Sequence, residues 1–388
     1  MENKKLLTLT LGGLSIGTTE FVMMGILPQV ANKFHITIPS AGHFIAAYAL
    51  GVVIGAPLFA IIGSKFPPKK LLIALMTIFT IFNGLTALST GHNMMVITRL
   101  MSGLPHGAFF GVGSVVASKL ASKGKEASAM SIMFAGLTIA NIIMVPVGTY
   151  IGLHYNWRYV FAIIAFLGLL TVIFLYKVLP AIEANPTSSI QKELGIFKSP
   201  MVWLMILITA IGTGGLFAWI SYIAPMLTQI THFRDSAVPY VMIIAGVGMF
   251  IGNISGGKLA DRLPPANALL IALMAVGTSL LLDYFFAANQ LLTLIGTFLT
   301  GASSFALIAP IQILMIKIAS DAEILGASAT QAAFNIGNAI GAFAGGLPIA
   351  AGFGYRSPIL IGVLMVTLGI ILTTILIQMQ QRRLCATT

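Results

Sequence analysis

The sequence predicts an all-α membrane protein with about twelve transmembrane helices, arranged as two pseudo-symmetric six-helix bundles. Three observations support this: the composition, the length of the apolar runs and an internal repeat. The 388 residues are 57% hydrophobic and 8% charged, with a mean hydropathy of +0.98, which excludes an ordinary water-facing surface. Lipid cannot satisfy open backbone groups, so the spanning segments are expected to be helical.

The apolar runs define the spans in chain order, each close to the roughly 20 residues that a helix needs to cross the hydrocarbon core. The predicted spans are residues 6–27, 41–62, 70–89, 94–116, 127–151, 157–178, 201–223, 238–257, 268–286, 291–313, 326–350 and 358–379. The longest polar stretch lies between the sixth and seventh spans. We therefore predict an N-terminal six-helix bundle at 1–179, a cytoplasmic linker at 180–200 and a C-terminal six-helix bundle at 201–388.

The two bundles are predicted to be repeats of one unit. A shift of 197 positions superposes Glu126 on Glu323 and Asn141 on Asn338. The same shift places Glu20 on a phenylalanine and Arg99 on a glycine, so this ionisable pair belongs to the first half only. A duplicated six-helix unit with a site at the repeat interface is typical of secondary transporters.

The basic residues predict the orientation. Sixteen of the 21 Lys and Arg residues fall in segments that are cytoplasmic if the amino terminus is inside. The outer loops hold only Lys33, Arg158, Arg234 and Arg356. The positive-inside rule then predicts that both termini are cytoplasmic, in a bacterial inner membrane. No basic stripe interleaved with aromatic residues indicates nucleic-acid binding.

Glu20 is the most informative residue, because an ionised group at membrane depth is retained mainly where it lines a cavity or has a partner. Measured from the outer ends of spans one and four, Glu20 and Arg99 lie at matching depth. His106 is seven residues after Arg99 and is expected on the same helix face. Burial favours the neutral carboxyl group and a nearby guanidinium favours the charged one, so a conformational change could move a proton. We assign proton coupling to Glu20, Arg99 and His106; a structural ion pair and a packing histidine are the alternatives.

Polar and aromatic residues deep in the spans are the candidates for substrate contacts, with interhelical packing as the alternative for each. They are Tyr48, Asn141, Phe217, Trp219, Tyr222, Gln312, Gln331, Asn335 and Asn338. Amides with aromatic residues suit a neutral or sugar-like molecule. Asp283 is the other carboxylate in an apolar run; we expect a solvated interfacial residue there in preference to a second proton site.

Several motifs resemble those of the major facilitator superfamily over essentially the whole chain. Residues 257–262 (GKLADR) look like its cytoplasmic gating motif, and the first-half counterpart at 63–70 reads GSKFPPKK. Residues 19–21 (TEF), 25–28 (GILP), 99–111 (RLMSGLPHGAFFG) and 156–158 (NWR) resemble the drug:proton antiporter group, in particular its arabinose-efflux-permease (AraJ-like) and sugar-efflux branch. Residues 144–148 (MVPVG) stand where that group carries an antiporter signature. The resemblance implies gating roles for Lys65, Lys69, Asp261 and Arg262.

Together these features predict a secondary active transporter that exports a small organic molecule, such as a sugar or drug-like compound, in exchange for protons by alternating access. A facilitator or a proton symporter on the same fold is the alternative. A membrane-embedded enzyme or a sensor is the remote one, since no hydrolase motif or signalling domain occurs. We expect protons, a small-molecule substrate and the lipid bilayer as partners, no nucleic acid, no cofactor, no metal and a monomeric state.

Overall fold

The computed structural model describes residues 2–36, 38–63, 65–182 and 194–387. These residues form fifteen α-helices. They are α1 (Glu2–Phe34), α2 (Ile38–Gly63), α3 (Pro68–Ala87), α4 (His92–Leu120), α5 (Glu126–Ile139), α6 (Val145–His154), α7 (Trp157–Val178), α8 (Pro200–Ile220), α9 (Ile223–Gln229), α10 (Val238–Arg262), α11 (Pro265–Phe286), α12 (Gln290–Phe305), α13 (Ile308–Ile318), α14 (Glu323–Ala350) and α15 (Ser357–Thr387).

Within the described residues, twelve helical segments are long and apolar enough to cross a membrane, which confirms the predicted all-α class and span number. The fifth span joins α5 and α6, the seventh joins α8 and α9, and the tenth joins α12 and α13. Several helices run beyond their predicted ends: the fourth span was predicted at 94–116 and is observed at His92–Leu120. Polar residues on either side of the apolar run are also helical, so the helix is longer than the apolar run that predicted it. Residues 183–193 of the predicted linker lie outside the described part of the chain.

Each of the three interrupted spans has a proline just after its break, whereas four other spans contain a proline and continue as one helix. The fifth span contains a π-helical turn at Ala140–Met144, and the seventh and tenth are divided after Ile220 and Phe305. In each case a proline lies in the first turn of the following helix: Pro146, Pro225 or Pro310. Proline lacks the N–H group that would continue the helical ladder and clashes with the preceding turn, so the chain starts a new helix there.

By contacts, the chain forms two compact units. The first comprises Met1–Ser122, Ile132–Ile196 and Ala319–Ala332. The second comprises Lys123–Ser131, Phe197–Ile318 and Ala333–Thr388. Residues 126–131 of the fifth span and residues 320–332 of the eleventh are therefore grouped apart from the rest of those spans. The division at residues 180–200 stays a prediction.

The same pattern of helix pairing occurs in each unit. In the first, α2 packs on α4, α3 on α7 and α1 on α7; in the second, α10 packs on α12, α11 on α15 and α8 on α15. Glycines allow the closest approaches, because a Cβ atom at Gly55 would overlap the carbonyl of Leu104 and one at Gly252 the carbonyl of Ala302. Small residues at such crossings let helix backbones touch in lipid, where van der Waals packing drives association.

We expect Gly252→Ala to destabilise the protein by about 1–3 kcal/mol, because the methyl group must push α10 away from the α12 backbone. The measurement is the thermal unfolding midpoint of the purified protein in detergent. Gly277→Ala is the matched control, since a Cβ atom there would meet only Val366 Cγ1 at 3.5 Å. Equal midpoints for the two variants would contradict this account of the α10–α12 contact.

Candidate functional site

A fully buried arginine joins three helices of the first unit. Arg99 on α4 has 0% of its surface exposed. Its Nε donates a hydrogen bond to the Phe44 carbonyl of α2 at 3.3 Å. Its Nη1 donates to the carbonyl and Oγ1 of Thr19 on α1 at 3.1 and 2.9 Å. The guanidinium also lies 4.3 Å from the ring centroid of Tyr48, a cation–π contact that partly replaces lost hydration.

Tyr48 connects the arginine to His106. The Tyr48 hydroxyl and His106 Nδ1 are 3.0 Å apart, and the imidazole is 2% exposed. Gly103 lies one turn before His106, and a Cβ atom at Gly103 would overlap the Tyr48 carbonyl. The close α2–α4 packing therefore sets the position of the Tyr48–His106 pair. The sequence placed Arg99 and His106 on one face, and in the structure both contact Tyr48.

Glu20 directly follows Thr19, which accepts hydrogen bonds from Arg99, but Glu20 itself forms no ion pair with the arginine. The Glu20 side chain is half-buried on α1. In the described part of the chain, the ion pair within 4.0 Å is Lys119–Glu323, so Glu20 and Arg99 are farther apart than that. Glu20 remains close enough for electrostatic interaction with Arg99 and Tyr48. Glu20 is therefore a half-buried carboxyl group near a guanidinium that is hydrogen-bonded to other partners.

Three partners of this network were not predicted. Thr19 Oγ1 accepts from Arg99 and donates to Asn83 Oδ1 at 2.6 Å, and Asn83 Nδ2 donates to the Phe79 carbonyl at 2.8 Å. Phe44 contributes only its backbone carbonyl, which no side-chain pattern could indicate. Asn83 could have been identified, because it is the one amide side chain within the third span, and Thr19 because it adjoins Glu20.

Three of the predicted substrate residues lie in the first unit. Tyr48 belongs to the network above. Asn141 is half-buried in the π-helical turn, where its Nδ2 donates to the Leu137 carbonyl at 3.2 Å. Gln331 packs beside α4, with its Cβ 3.3 Å from the position that a Cβ of Gly107 would take. The structure thus places Gln331 beside Gly107, the residue that follows His106.

The other six predicted substrate residues lie in the second unit. Trp219, Gln312 and Asn335 are buried, and Phe217, Tyr222 and Asn338 are half-buried. The Tyr222 hydroxyl donates to the Ala342 carbonyl at 2.8 Å. Gly341 brings α14 against α8, with its Cβ position 3.0 Å from Phe217 Cβ. Phe217 and Tyr222 of the seventh span therefore contact the backbone of the eleventh span, which also carries Asn335 and Asn338.

The four residues assigned to gating have different surroundings, and two of them form hydrogen bonds with the backbone. Asp261 accepts hydrogen bonds from the backbone N–H groups of Ala127 at 2.9 Å and Ser128 at 3.1 Å, within the second unit. A carboxylate at the first turn of a helix is stabilised by the helix dipole and by the unpaired N–H groups there. Lys69 donates to the carbonyls of Tyr176 and Leu179 at 2.8 and 2.5 Å, at the end of α7. Lys65 and Arg262 are exposed.

Asp283 differs from the expectation of a solvated interfacial residue. Only 4% of its surface is exposed, because α12 covers this end of α11. Its Oδ2 accepts a hydrogen bond from Thr300 Oγ1 at 2.8 Å. The sequence around Asp283 does not show which helix packs over the end of α11, so the burial of this residue could not be predicted.

Twelve apolar helices with buried, hydrogen-bonded ionisable residues between them define a multi-pass membrane protein of the transporter class. Residues 9–322 match the family model of the Major Facilitator Superfamily. The inner membrane transport protein YdhP of Escherichia coli strain K12 is 40% identical over 385 residues, covering 99% of this chain and 98% of YdhP. AraJ of the same strain is 38% identical over 353 residues, 91% of this chain and 90% of AraJ.

Solved structures show the same fold. The E. coli fucose:proton symporter FucP superposes with a TM-score of 0.80 at 17% identity, covering 96% of this chain and 98% of FucP. The chain belongs to the Major Facilitator Superfamily. It is a transporter of small substrates and not an enzyme, and the resemblance to the AraJ-like branch is confirmed.

We expect Arg99→Lys to lower stability by about 1.5–3 kcal/mol, the usual worth of a hydrogen bond to a charged group, because lysine cannot reach Phe44 and Thr19 in the fork geometry of arginine. The thermal unfolding midpoint checks this. Arg234→Lys, at an exposed loop position, is the control and should leave the midpoint unchanged. An unfolding midpoint of Arg99→Lys equal to that of the wild type would show that the Arg99 hydrogen bonds do not stabilise the protein.

Proposed function

We propose that the protein exports a small organic molecule in exchange for protons by alternating access, with Glu20 as the proton-carrying group. The observation that carries the proposal is the half-buried Glu20 carboxyl group, which lies beside a buried guanidinium without an ion pair to it. Arg99 is held by Thr19 and Phe44, so a small shift of α1 against α4 alters the field at Glu20 and with it the balance between its charged and neutral forms.

His106 and Tyr48 extend this site. Their hydrogen bond gives a second exchangeable proton next to Arg99, and histidine is the side chain whose unperturbed titration lies nearest to neutrality. We propose that His106 shares the proton with Glu20. Tyr48 connects the two groups, because its hydroxyl group is hydrogen-bonded to His106 and interacts electrostatically with Glu20. The antiport direction is supported by the motifs of the antiporter group. The names of FucP and of the proton:xylose symporter XylE, which shares only the fold, keep symport as the second candidate.

For the substrate we propose a neutral or weakly polar molecule bound by aromatic and amide side chains. The half-buried Asn141, Phe217, Tyr222 and Asn338 supply groups of this chemistry in spans five, seven and eleven. The buried residues Tyr48, Trp219, Gln312, Gln331 and Asn335 complete the proposed set. A relative that is 29% identical is named a chloramphenicol resistance protein of Streptomyces lividans, so chloramphenicol is a suitable probe together with fucose and xylose.

We further propose an inner-membrane location with both termini cytoplasmic, and a gate at the cytoplasmic ends of the spans. Asp261 supports the gate, because its two backbone hydrogen bonds fasten α10 to the first turn of the fifth span. Arg262 and Lys65 contribute positive charge there, and Lys69 holds the end of α7. The division into bundles at 1–179 and 201–388, joined by 180–200, is the arrangement in which this gate would open.

Glu20→Gln is expected to abolish transport driven by a pH gradient while leaving substrate exchange intact, because the amide keeps the shape of the side chain and cannot carry a proton. Proteoliposomes loaded with labelled chloramphenicol, fucose or xylose measure both activities. Asp321→Asn, at an exposed carboxylate, is the control and should transport normally. Uphill accumulation by Glu20→Gln with the pH dependence of the wild type would refute the assignment.

Asp261→Asn should raise amide hydrogen exchange at Ala127 and Ser128 by roughly tenfold or more, because each lost charge-assisted hydrogen bond is worth about 1.5–3 kcal/mol and 1.4 kcal/mol corresponds to a factor of ten. Hydrogen–deuterium exchange of residues 123–131 in detergent provides the measurement. The same segment in Asp321→Asn gives the control trace. Unchanged exchange in Asp261→Asn would mean that the carboxylate does not hold the gate.

A further inference from the structure

Asp283 is a buried carboxyl group that the proposed transport mechanism does not use. It lies in the last turn of α11, and its Oδ2 accepts from Thr300 on α12. Its Oδ1 is also buried, and no hydrogen-bond donor in the described part of the chain reaches it. A Cβ atom at Gly296 would overlap Oδ1, so this oxygen lies directly against the bare backbone of α12.

Hydroxyl groups line the α11–α12 contact on both sides of Asp283. Thr293 donates to the Ala287 carbonyl at 3.3 Å, and Ser279 and Ser303 are 3.1 Å apart. Thr297 is 1% exposed, and no described atom forms a hydrogen bond with its hydroxyl group. The Asp283 carboxyl group therefore lies among hydroxyl groups at the α11–α12 contact. Its Oδ2 accepts a hydrogen bond, whereas its Oδ1 and the buried Thr297 hydroxyl group have none within the described residues.

No cation within the described chain compensates a charge on Asp283. The helices packed against α11 are α8, α10, α12, α13 and α15. Neither α8 nor α12 carries an acidic or basic residue. Arg356 directly precedes α15, and its guanidinium lies 5.7 Å from the ring centroid of Tyr284. The other titratable groups on the packed helices are Tyr240, Lys258, Asp261, Arg262, Lys317, Arg382, Arg383 and Cys385. No basic group whose side chain the structure describes lies within 4.0 Å of the Asp283 carboxyl group.

An ionised Asp283 would be costly in this setting. An uncompensated charge in a membrane span costs about 2.5–3.5 kcal/mol or more, and one threonine donor offsets only part of that. A protonated carboxyl group carries no charge and gains a donor. A metal cation would require more oxygen ligands than Asp283, Thr297 and Thr300 supply.

We propose that Asp283 is a second proton-binding site, which holds a proton in this conformation and releases it when α11 and α12 separate enough to admit water. That it binds a proton is independent of the role of Glu20. That the proton moves during transport rests on the proposed function.

The test is infrared difference spectroscopy of the full-length protein in lipid, which detects the C=O stretching band of a protonated carboxyl group. At neutral pH, Asp283→Asn should lose one such band and Glu20→Gln should keep it. Raising the pH should remove this band from the wild type. Asp261→Asn is the matched control, because Asp261 accepts two N–H groups as a carboxylate and contributes no such band.

Thr300→Val provides a second variant that keeps the carboxyl group, and it should shift the frequency of the Asp283 band because the bond to Oδ2 is lost. An unchanged carboxyl spectrum in both Asp283→Asn and Thr300→Val would overturn the proposal. So would a band that persists at every pH at which the protein stays folded, since Asp283 would then be a permanently protonated structural group. A band that appears only when Na⁺ is removed would overturn it in favour of a sodium site. Each outcome is separate from the transport result for Glu20→Gln.

Discussion

The hydrogen bonds of Arg99 are the interaction on which the first unit depends. A guanidinium without solvent inside a membrane span is tolerated only where its charge is stabilised by other groups. Here the Phe44 carbonyl, Thr19 and the Tyr48 ring provide that stabilisation, and they come from α1 and α2. The same contacts that solvate the arginine therefore hold three helices in register, and they leave the neighbouring Glu20 without an ion pair.

This arrangement links packing to chemistry. The glycines of α4 bring its backbone against α2, which positions Tyr48 between Arg99 and His106. A small movement of α1 changes the separation between Glu20 and the guanidinium without breaking the arginine's bonds to α2. Electrostatic interactions are strong in such a site because little water screens them. We therefore propose that a modest rearrangement of helices changes the preferred protonation state of the Glu20 carboxyl group.

The two units use the same helix pairing with different chemistry. In the first, the position on α4 that faces α1 and α2 carries Arg99, and the repeat places Gly296 at the equivalent position of α12. The space left by that glycine is occupied by the Asp283 carboxyl group. One half thus buries a cation and the other an acid in related places. The duplicated fold supplies a common framework, and the residue at one helix crossing decides whether a cation or an acid is buried there.

The sequence by itself determined the all-α class, the number of spans and the family, because a helix must be long and apolar to cross a membrane. It also singled out Glu20, Arg99 and His106 as candidates for proton coupling, because ionisable groups are rare at membrane depth. It did not indicate which spans would be interrupted, nor that a π-helical turn would form at Asn141. Tertiary structure alone decided that Arg99 binds Thr19 and a backbone carbonyl instead of Glu20, that Tyr48 joins His106, and that Asp283 is covered. Those contacts depend on which helix faces cross, and local residue patterns contain no information about the partner that arrives from a distant part of the chain.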